Sequence, residues 1–164
     1  MTLVQAGRIL ALNISEGGVP KMPVERVRIT SNGLEGDAHH DRVHHGGPER
    51  AVCLYSDEVL DQLRAEGHDV WPGALGENVT IENVPFDALA PGAIVRLGLE
   101  VVLQISEPAT PCRTIAHYFR DGRYGRVSAK THPGESRLYA RVLVEGVVAV
   151  GEEVRIDETP LSLQ

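Results

Sequence analysis

Ile94-Val95-Arg96-Leu97-Gly98 and Val101-Val102-Leu103-Gln104-Ile105-Ser106 are two short apolar runs separated only by Leu99 and Glu100. Runs of this length, rich in Val, Ile and Leu and bounded by a glycine, read as strands. The pattern recurs at Arg8 to Ile14, Met22 to Thr30, Ala51 to Tyr55, Tyr139 to Val144 and Glu153 to Ile156, between Gly and Pro signals. Repeated short strands of this kind predict a mainly β fold: a closed or partly open antiparallel barrel, with one or two short-to-medium helices.

One helix is expected from Ser56 to Glu66. Ser56 is a cap, Asp57 and Glu58 sit in the first turn, Val59, Leu60 and Leu63 recur at helical spacing, and Gly67 follows the end. A second, shorter helix is expected from Thr114 to Arg120, stopped by Gly122. The segment Pro91-Gly92-Ala93-Ile94-Val95-Arg96 echoes Val150-Gly151-Glu152-Glu153-Val154-Arg155. Both read as a glycine turn feeding a strand rather than as a duplicated domain.

A chain of 164 residues is the size of one domain, expected here to span 1–164. Hydrophobic residues make up 42% but aromatics only 4%, so the core must be built from Val, Leu, Ile and Ala. The formal charge of −7 argues against nucleic-acid and membrane-surface partners. Of the 16 basic residues all are Arg except Lys21 and Lys130. No basic stretch with an apolar signal core follows Met1, and no apolar run approaches the ~18 residues that span a bilayer, so a cytoplasmic protein is expected. Its two cysteines are too few for a disulfide scaffold or for an iron–sulfur cluster held by one chain. Any electrons used here must come from elsewhere.

The densest polar stretch runs from Gly33 to Arg50 and holds His39, His40, His44 and His45 among glycines and charges. It cannot be core and reads as a long functional loop. His40 and His44 stand four apart, a ligand spacing on a helix, although the surrounding glycines disfavour one. Gly46-Gly47-Pro48 is a tight turn that lets backbone approach a ligand, with Arg50 beside it, and Pro72-Gly73-Ala74-Leu75-Gly76-Glu77-Asn78 is a second turn of the kind.

Glu107-Pro108-Ala109-Thr110-Pro111-Cys112-Arg113-Thr114 ends a strand in two prolines and delivers Cys112 to the expected start of a helix. The helix dipole and Arg113 would favour thiolate there, the form that attacks electrophiles and binds soft metals. Cys53 lies in the apolar run Ala51-Val52-Cys53-Leu54-Tyr55 and reads as structural.

Gly-Leu-Glu-Gly-Asp at 33–37, His-Gly-Gly-Pro-Glu-Arg-Ala-Val at 45–52, Pro-Gly at 72–73, Gly-Glu-Asn-Val-Thr at 76–80, Pro-Gly at 91–92 and Pro-Cys-Arg at 111–113 together resemble the MOSC domain, in the same order. The single-domain bacterial type is the nearest in form. The later stretch Ser136-Arg137-Leu138-Tyr139-Ala140-Arg141-Val142 is also similar, although Leu138 stands where many relatives have an aromatic residue. The resemblance implies a β-barrel that binds a molybdenum cofactor (molybdopterin), with Cys112 as the metal's thiolate ligand and a catalytic residue. It further implies Arg50, Arg113 and Arg137 as candidates to neutralise the cofactor's phosphate. His45, Glu77 and Asn78 would then hydrogen-bond pterin or substrate, and His45 or an adjacent carboxylate would deliver protons. Gly46 and Gly47 would let the backbone come close. Pyridoxal phosphate, found in larger sulfurating relatives, is not expected, since there is no room for its domain and only two lysines.

The leading expectation is therefore a molybdenum-dependent reductase of N-hydroxylated bases or related small N–O compounds, supplied by a separate electron-donor reductase. A sulfur or molybdenum-cofactor carrier using a persulfide on Cys112 is the alternative. A divalent-metal hydrolase built on the histidine loop is a third. A homodimer is compatible with the sequence.

Overall fold

The aliphatic runs become strands because they hydrogen-bond in a ring. In the computed structural model, which describes residues 6–38 and 47–157, the chain begins with β1 (Gly7–Ile14), β2 (Met22–Val24), β3 (Arg26–Thr30) and β4 (Gly33–Leu34). It continues through β5 (Val52–Ser56), the helix α1 (Asp57–Ala65) and β6 (Val79–Glu82). The rest is β7 (Ile94–Leu97), β8 (Val101–Pro108), β9 (Leu138–Val144), β10 (Gly146–Ala149) and β11 (Glu153–Asp157). Seven strands close a barrel in the order β1-β11-β7-β8-β9-β5-β6 and back to β1, while β10, β3 and β4 form a smaller sheet. The barrel pairings are antiparallel except β5 with β6, which run parallel. A parallel pair needs a crossover, and α1 lies in it.

The helix α1 forms where the capping signals place it. Ser56 accepts a hydrogen bond from the Val59 N–H at 3.3 Å, and Val59, Leu60 and Leu63 are buried together on one face. Every residue of β5 is buried, so this strand is covered on both faces. A continuous cluster of mainly aliphatic side chains, joined by Tyr55, Phe86, Tyr118 and Phe119, fills the barrel and extends under α1. The two echoed glycine turns have a structural relation: the strands they feed, β7 and β11, pair with each other, with Arg96 opposite Arg155.

Two expectations change. The run from Met22 to Thr30 is not one strand but two: β2 pairs with β1, whereas β3 pairs with β10. Pro23 fits this break, because a residue without an N–H is tolerated on an edge strand such as β2. The helix expected over Thr114 to Arg120 is a six-residue 3-10 turn, Arg113–Tyr118. Ile115 and Tyr118, buried three residues apart, eclipse each other on one face at the 3-10 period. Among the described residues no helix is long and apolar enough to cross a membrane.

Leu60 is wholly buried and Leu99 is 94% exposed. Leu60→Ala is therefore expected to lower unfolding free energy by about 2–5 kcal/mol, through lost burial and a residual cavity. Leu99→Ala should stay within about 0.5 kcal/mol of the parent in the same denaturation experiment.

Candidate functional site

One rim of the barrel gathers the polar segments, and strand register explains how. Pro108, the last residue of β8, pairs with Leu138, the first of β9, and the Ala109 N–H donates to the Arg137 carbonyl at 2.8 Å. The loop carrying Cys112 and the residue before β9 are thereby held together. On the next strand Cys53 lies opposite Tyr139, and Arg50 ends a 3-10 turn just before it. The Asn78 N–H donates to the Cys53 carbonyl at 2.8 Å and the Asn13 N–H to the Asn78 carbonyl at 2.7 Å, which brings the start of β6 and the end of β1 to the same rim.

These segments enclose a cleft of about 260 Å³, whose polar lining includes Lys21, Arg50, Asn78, Cys112 and Arg137, with Cys53 and Tyr139 beside them. Close backbone contacts pack the segments that carry two of its lining residues, Lys21 and Arg50. At Gly73, with φ +92°, a Cβ would lie 2.5 Å from the Lys21 carbonyl; at Gly33, with φ +112°, one would lie 2.6 Å from that of Ala51. Only glycine meets both demands there.

Asp37 organises the wall. Its carboxylate accepts from Lys21 Nζ with both oxygens at 2.7 Å, from the Ser15 N–H at 2.9 Å and from Asn78 Nδ2 at 2.9 Å. Asn78 spends its other groups on the backbone: Oδ1 accepts from the Cys53 N–H at 3.0 Å and Nδ2 also donates to the Asn13 carbonyl. On the opposite side, Arg50 lies 5.4 Å above the Tyr139 ring and donates to Glu107 at 2.6 Å.

Cys112 is half-buried on the cleft wall, with Sγ 2.8 Å from Thr114 Oγ1. The helix expected to lend it a dipole is replaced by the short 3-10 turn, and Arg113 is exposed and does not line the cleft. Cys53 is buried, and burial pushes its thiol up to about 11, as suits a structural cysteine, yet it too borders the cleft. Arg137, 5% exposed, donates Nη1 to the Leu75 carbonyl at 2.8 Å, while its buried Nε has no partner.

Glu77 is buried behind the wall, between cleft-lining Gly76 and Asn78. Thr80 Oγ1 donates to its Oε2 at 3.3 Å, and its Oε1 has no partner. Gly47, with φ +82°, leads exposed into the turn of Arg50. His39, His40, His44, His45 and Gly46 lie outside the described residues. Lys21, Tyr139 and Thr114 were not singled out from sequence as site residues, and Asp37 only as part of a motif. The one available signal was the scarcity of lysine, which leaves Lys21 and Lys130 alone among the basic residues.

Burial raises the Glu77 carboxyl from an ordinary 4.5 to about 7. A folded-state value above the unfolded one means that the unfolded chain loses its proton first as pH rises, so stability falls between pH ~4.5 and ~7. Comparing urea unfolding of the parent and Glu77→Gln across that range should show the parent losing about 3 kcal/mol relative to the variant, with a constant difference on either side. A difference that does not vary with pH would mean that Glu77 is ionised throughout.

Residues 41–155 match the MOSC domain. The chain is 32% identical over 151 residues to the uncharacterized protein YflK of Bacillus subtilis, covering 86% of this chain and 63% of that one. It is 33% identical over 140 residues to a protein of Gibberella moniliformis named a reductase, covering 82% of this chain and 24% of that protein. It thus spans less than two thirds of the length of either relative. Among solved structures, YiiM from Geobacillus stearothermophilus superposes with a TM-score of 0.72 at 26% identity, covering 93% of this chain and 75% of that one. The YUAD protein from Bacillus subtilis, at 16% identity and TM-score 0.73 over 93% of this chain and 96% of that one, shares the fold. With a barrel of this form, and a family match over most of its length, the chain belongs to the MOSC domain family.

Proposed function

We propose that the rim cleft holds a molybdenum cofactor with Cys112 as the protein's thiolate ligand, and that the chain thereby reduces N-hydroxylated bases or related small N–O compounds. The observation behind this reading is the composition of the cleft: one accessible thiol with Lys21, Arg50 and Arg137, and no carboxylate in the lining among the described residues. That donor set fits the group, since thiolate suits a soft metal and guanidinium suits a phosphate. When bound, the cofactor would supply two-electron exchange with the N–O bond. Family membership and the relative named a reductase support the assignment at the level of chemistry.

The chain's own residues would divide the remaining work. Cys112 holds the ligand at the rim, where a half-buried position leaves access for a small substrate. Asn78, committed to the Cys53 N–H, to Asn13 and to Asp37, keeps the wall rigid rather than reaching outward. Tyr139 backs the cleft with an aromatic surface over which Arg50 is stacked. Proton delivery would fall to His45 or an adjacent carboxylate, and electrons would come from a separate reductase, since two cysteines are too few for an iron–sulfur cluster held by one chain.

Protein from a host with intact molybdenum-cofactor synthesis should contain stoichiometric molybdenum by elemental analysis and reduce an N-hydroxylated base with a chemical reductant. Cys112→Ser should lose both metal and turnover while remaining folded. Metal retained in Cys112→Ser removes the proposed ligand. An added labile sulfur on Cys112 with no molybdenum, read by mass spectrometry, would instead identify a sulfur or cofactor carrier.

A further inference from the structure

The cleft is small for the ligands proposed above. At about 260 Å³ it falls below the ~300–1,000 Å³ of pockets that bury most of a drug-sized molecule, so a fused-ring ligand held there must overhang the rim. Aromatic side chains mark where the ring would rest. The chain has seven Phe, Trp and Tyr residues. Tyr55, Phe86, Tyr118, Phe119 and Tyr139 are buried and Tyr124 is half-buried, but Trp71 is 39% exposed. An isolated exposed apolar side chain is ordinary on a protein surface. Trp71 is not isolated. Its ring stands T-shaped on Tyr118, with centroids 5.4 Å apart and planes at 83°, and exposed His117 lies against the same tyrosine ring at 4.0 Å. A T-shaped contact occupies at most one face of an indole, so Tyr118 leaves a face of Trp71 free to stack.

The two segments that carry these rings lead out of the cleft. The Ala74 N–H donates to the Trp71 carbonyl at 2.9 Å, and Leu75 and Gly76, next in the chain, line the cleft. On the other segment Thr114 lines the cleft, and His117 follows three residues later in the same 3-10 turn, the spacing at which side chains eclipse. Three residues at a rise of about 2.0 Å put His117 about 6 Å beyond Thr114, close to the width of one fused-ring system. The Asp69 N–H donates to the Tyr118 carbonyl at 2.9 Å and ties the two segments together.

We propose that Trp71 and His117 form a stacking subsite at the mouth of the cleft, which takes the planar nitrogen heterocycle of a ligand whose reactive end lies inside. The ring would belong to the substrate base or to the pterin of the cofactor. Both offer a planar π face, and aromatic stacking tolerates either. The class of ligand rests on the function proposed above. The test does not need molybdenum, so a chain that seats the ring but never takes up metal overturns only the earlier assignment.

Trp71 is the chain's only tryptophan, so its fluorescence reports on this subsite alone. The full chain from a host unable to make the cofactor, titrated with adenine, should show saturable quenching with a Kd of about 1 mM. Acetohydroxamic acid, an N–O compound without a ring, should leave the fluorescence unchanged at the same concentrations. His117→Ala should weaken adenine binding by about fivefold or more, and Leu99→Ala, at the tip between β7 and β8, should not change it. By calorimetry Trp71→Ala should lose adenine binding, while Trp71→Phe, which keeps an aromatic face, should retain part of it. Quenching that never saturates, or adenine binding in Trp71→Ala equal to the parent's, overturns the subsite. Should Trp71→Ala fail to fold, His117→Ala decides, and an affinity equal to the parent's again overturns it. The titration repeated on cofactor-loaded protein separates the sources. Lost adenine quenching assigns the subsite to the pterin, and retained quenching assigns it to the substrate base.

Discussion

The cleft depends on one buried carboxylate. Asp37, with a side chain 1% exposed, accepts hydrogen bonds from Lys21, Ser15 and Asn78, which come from the segment after β1 and from the start of β6. Those stretches have no reason to meet except through the barrel, and the carboxylate fixes them once they do. A buried charge pair is a weak source of net stability, because desolvating both ions offsets most of their attraction. Its effect is positional: removal of either partner would strand the other charge, so alternative arrangements of the wall are disfavoured. The same wall supplies Asn78 to Cys53, and β5 to the strand that carries Tyr139.

Strand pairing does the rest of the positioning. The cleft stands where β1 finishes and β5 and β6 begin, and the short antiparallel overlap of Val52–Leu54 with Leu138–Ala140 brings the end of β8 and the start of β9 alongside. The parallel step from β5 to β6 is decisive here. It places the starts of both strands on one rim, so that Arg50, ahead of β5, and Asn78, ahead of β6, face the same cleft. An antiparallel β6 would have sent Gly76, Glu77 and Asn78 to the opposite end.

This also explains what could be read in advance. The barrel was legible because its core is aliphatic and its strands are separated by glycine turns, a purely local pattern. α1 was legible through Ser56, whose cap needs only its own neighbours. Cys112 could be singled out because two prolines stop a strand just before it. The arginines could not be ranked, because proximity in sequence favours Arg113, whereas the fold turns it to solvent and brings in Arg137 through the pairing of Pro108 with Leu138. Lys21 and Tyr139 were missed for the same reason: each enters the cleft through a partner far away in the chain. The break of Met22 to Thr30 into β2 and β3 likewise depends on which strand each half pairs with.

The electrostatics act at two ranges. A formal charge of −7 sets the field beyond the surface and opposes extended polyanions, whose many phosphates would meet that field at once. Within the cleft the field is set by the few groups that line it, and there the described charges are cationic. Salt screens exposed charges over roughly 8–10 Å, whereas charges held in a protein interior are screened much less. A small ligand with one or two negative groups would therefore experience mostly the cleft, while a nucleic acid or an anionic bilayer would experience mostly the acidic exterior. Charge alone then selects by size: the acidic composition that argues against a polyanion does not argue against a compact anion in the cleft.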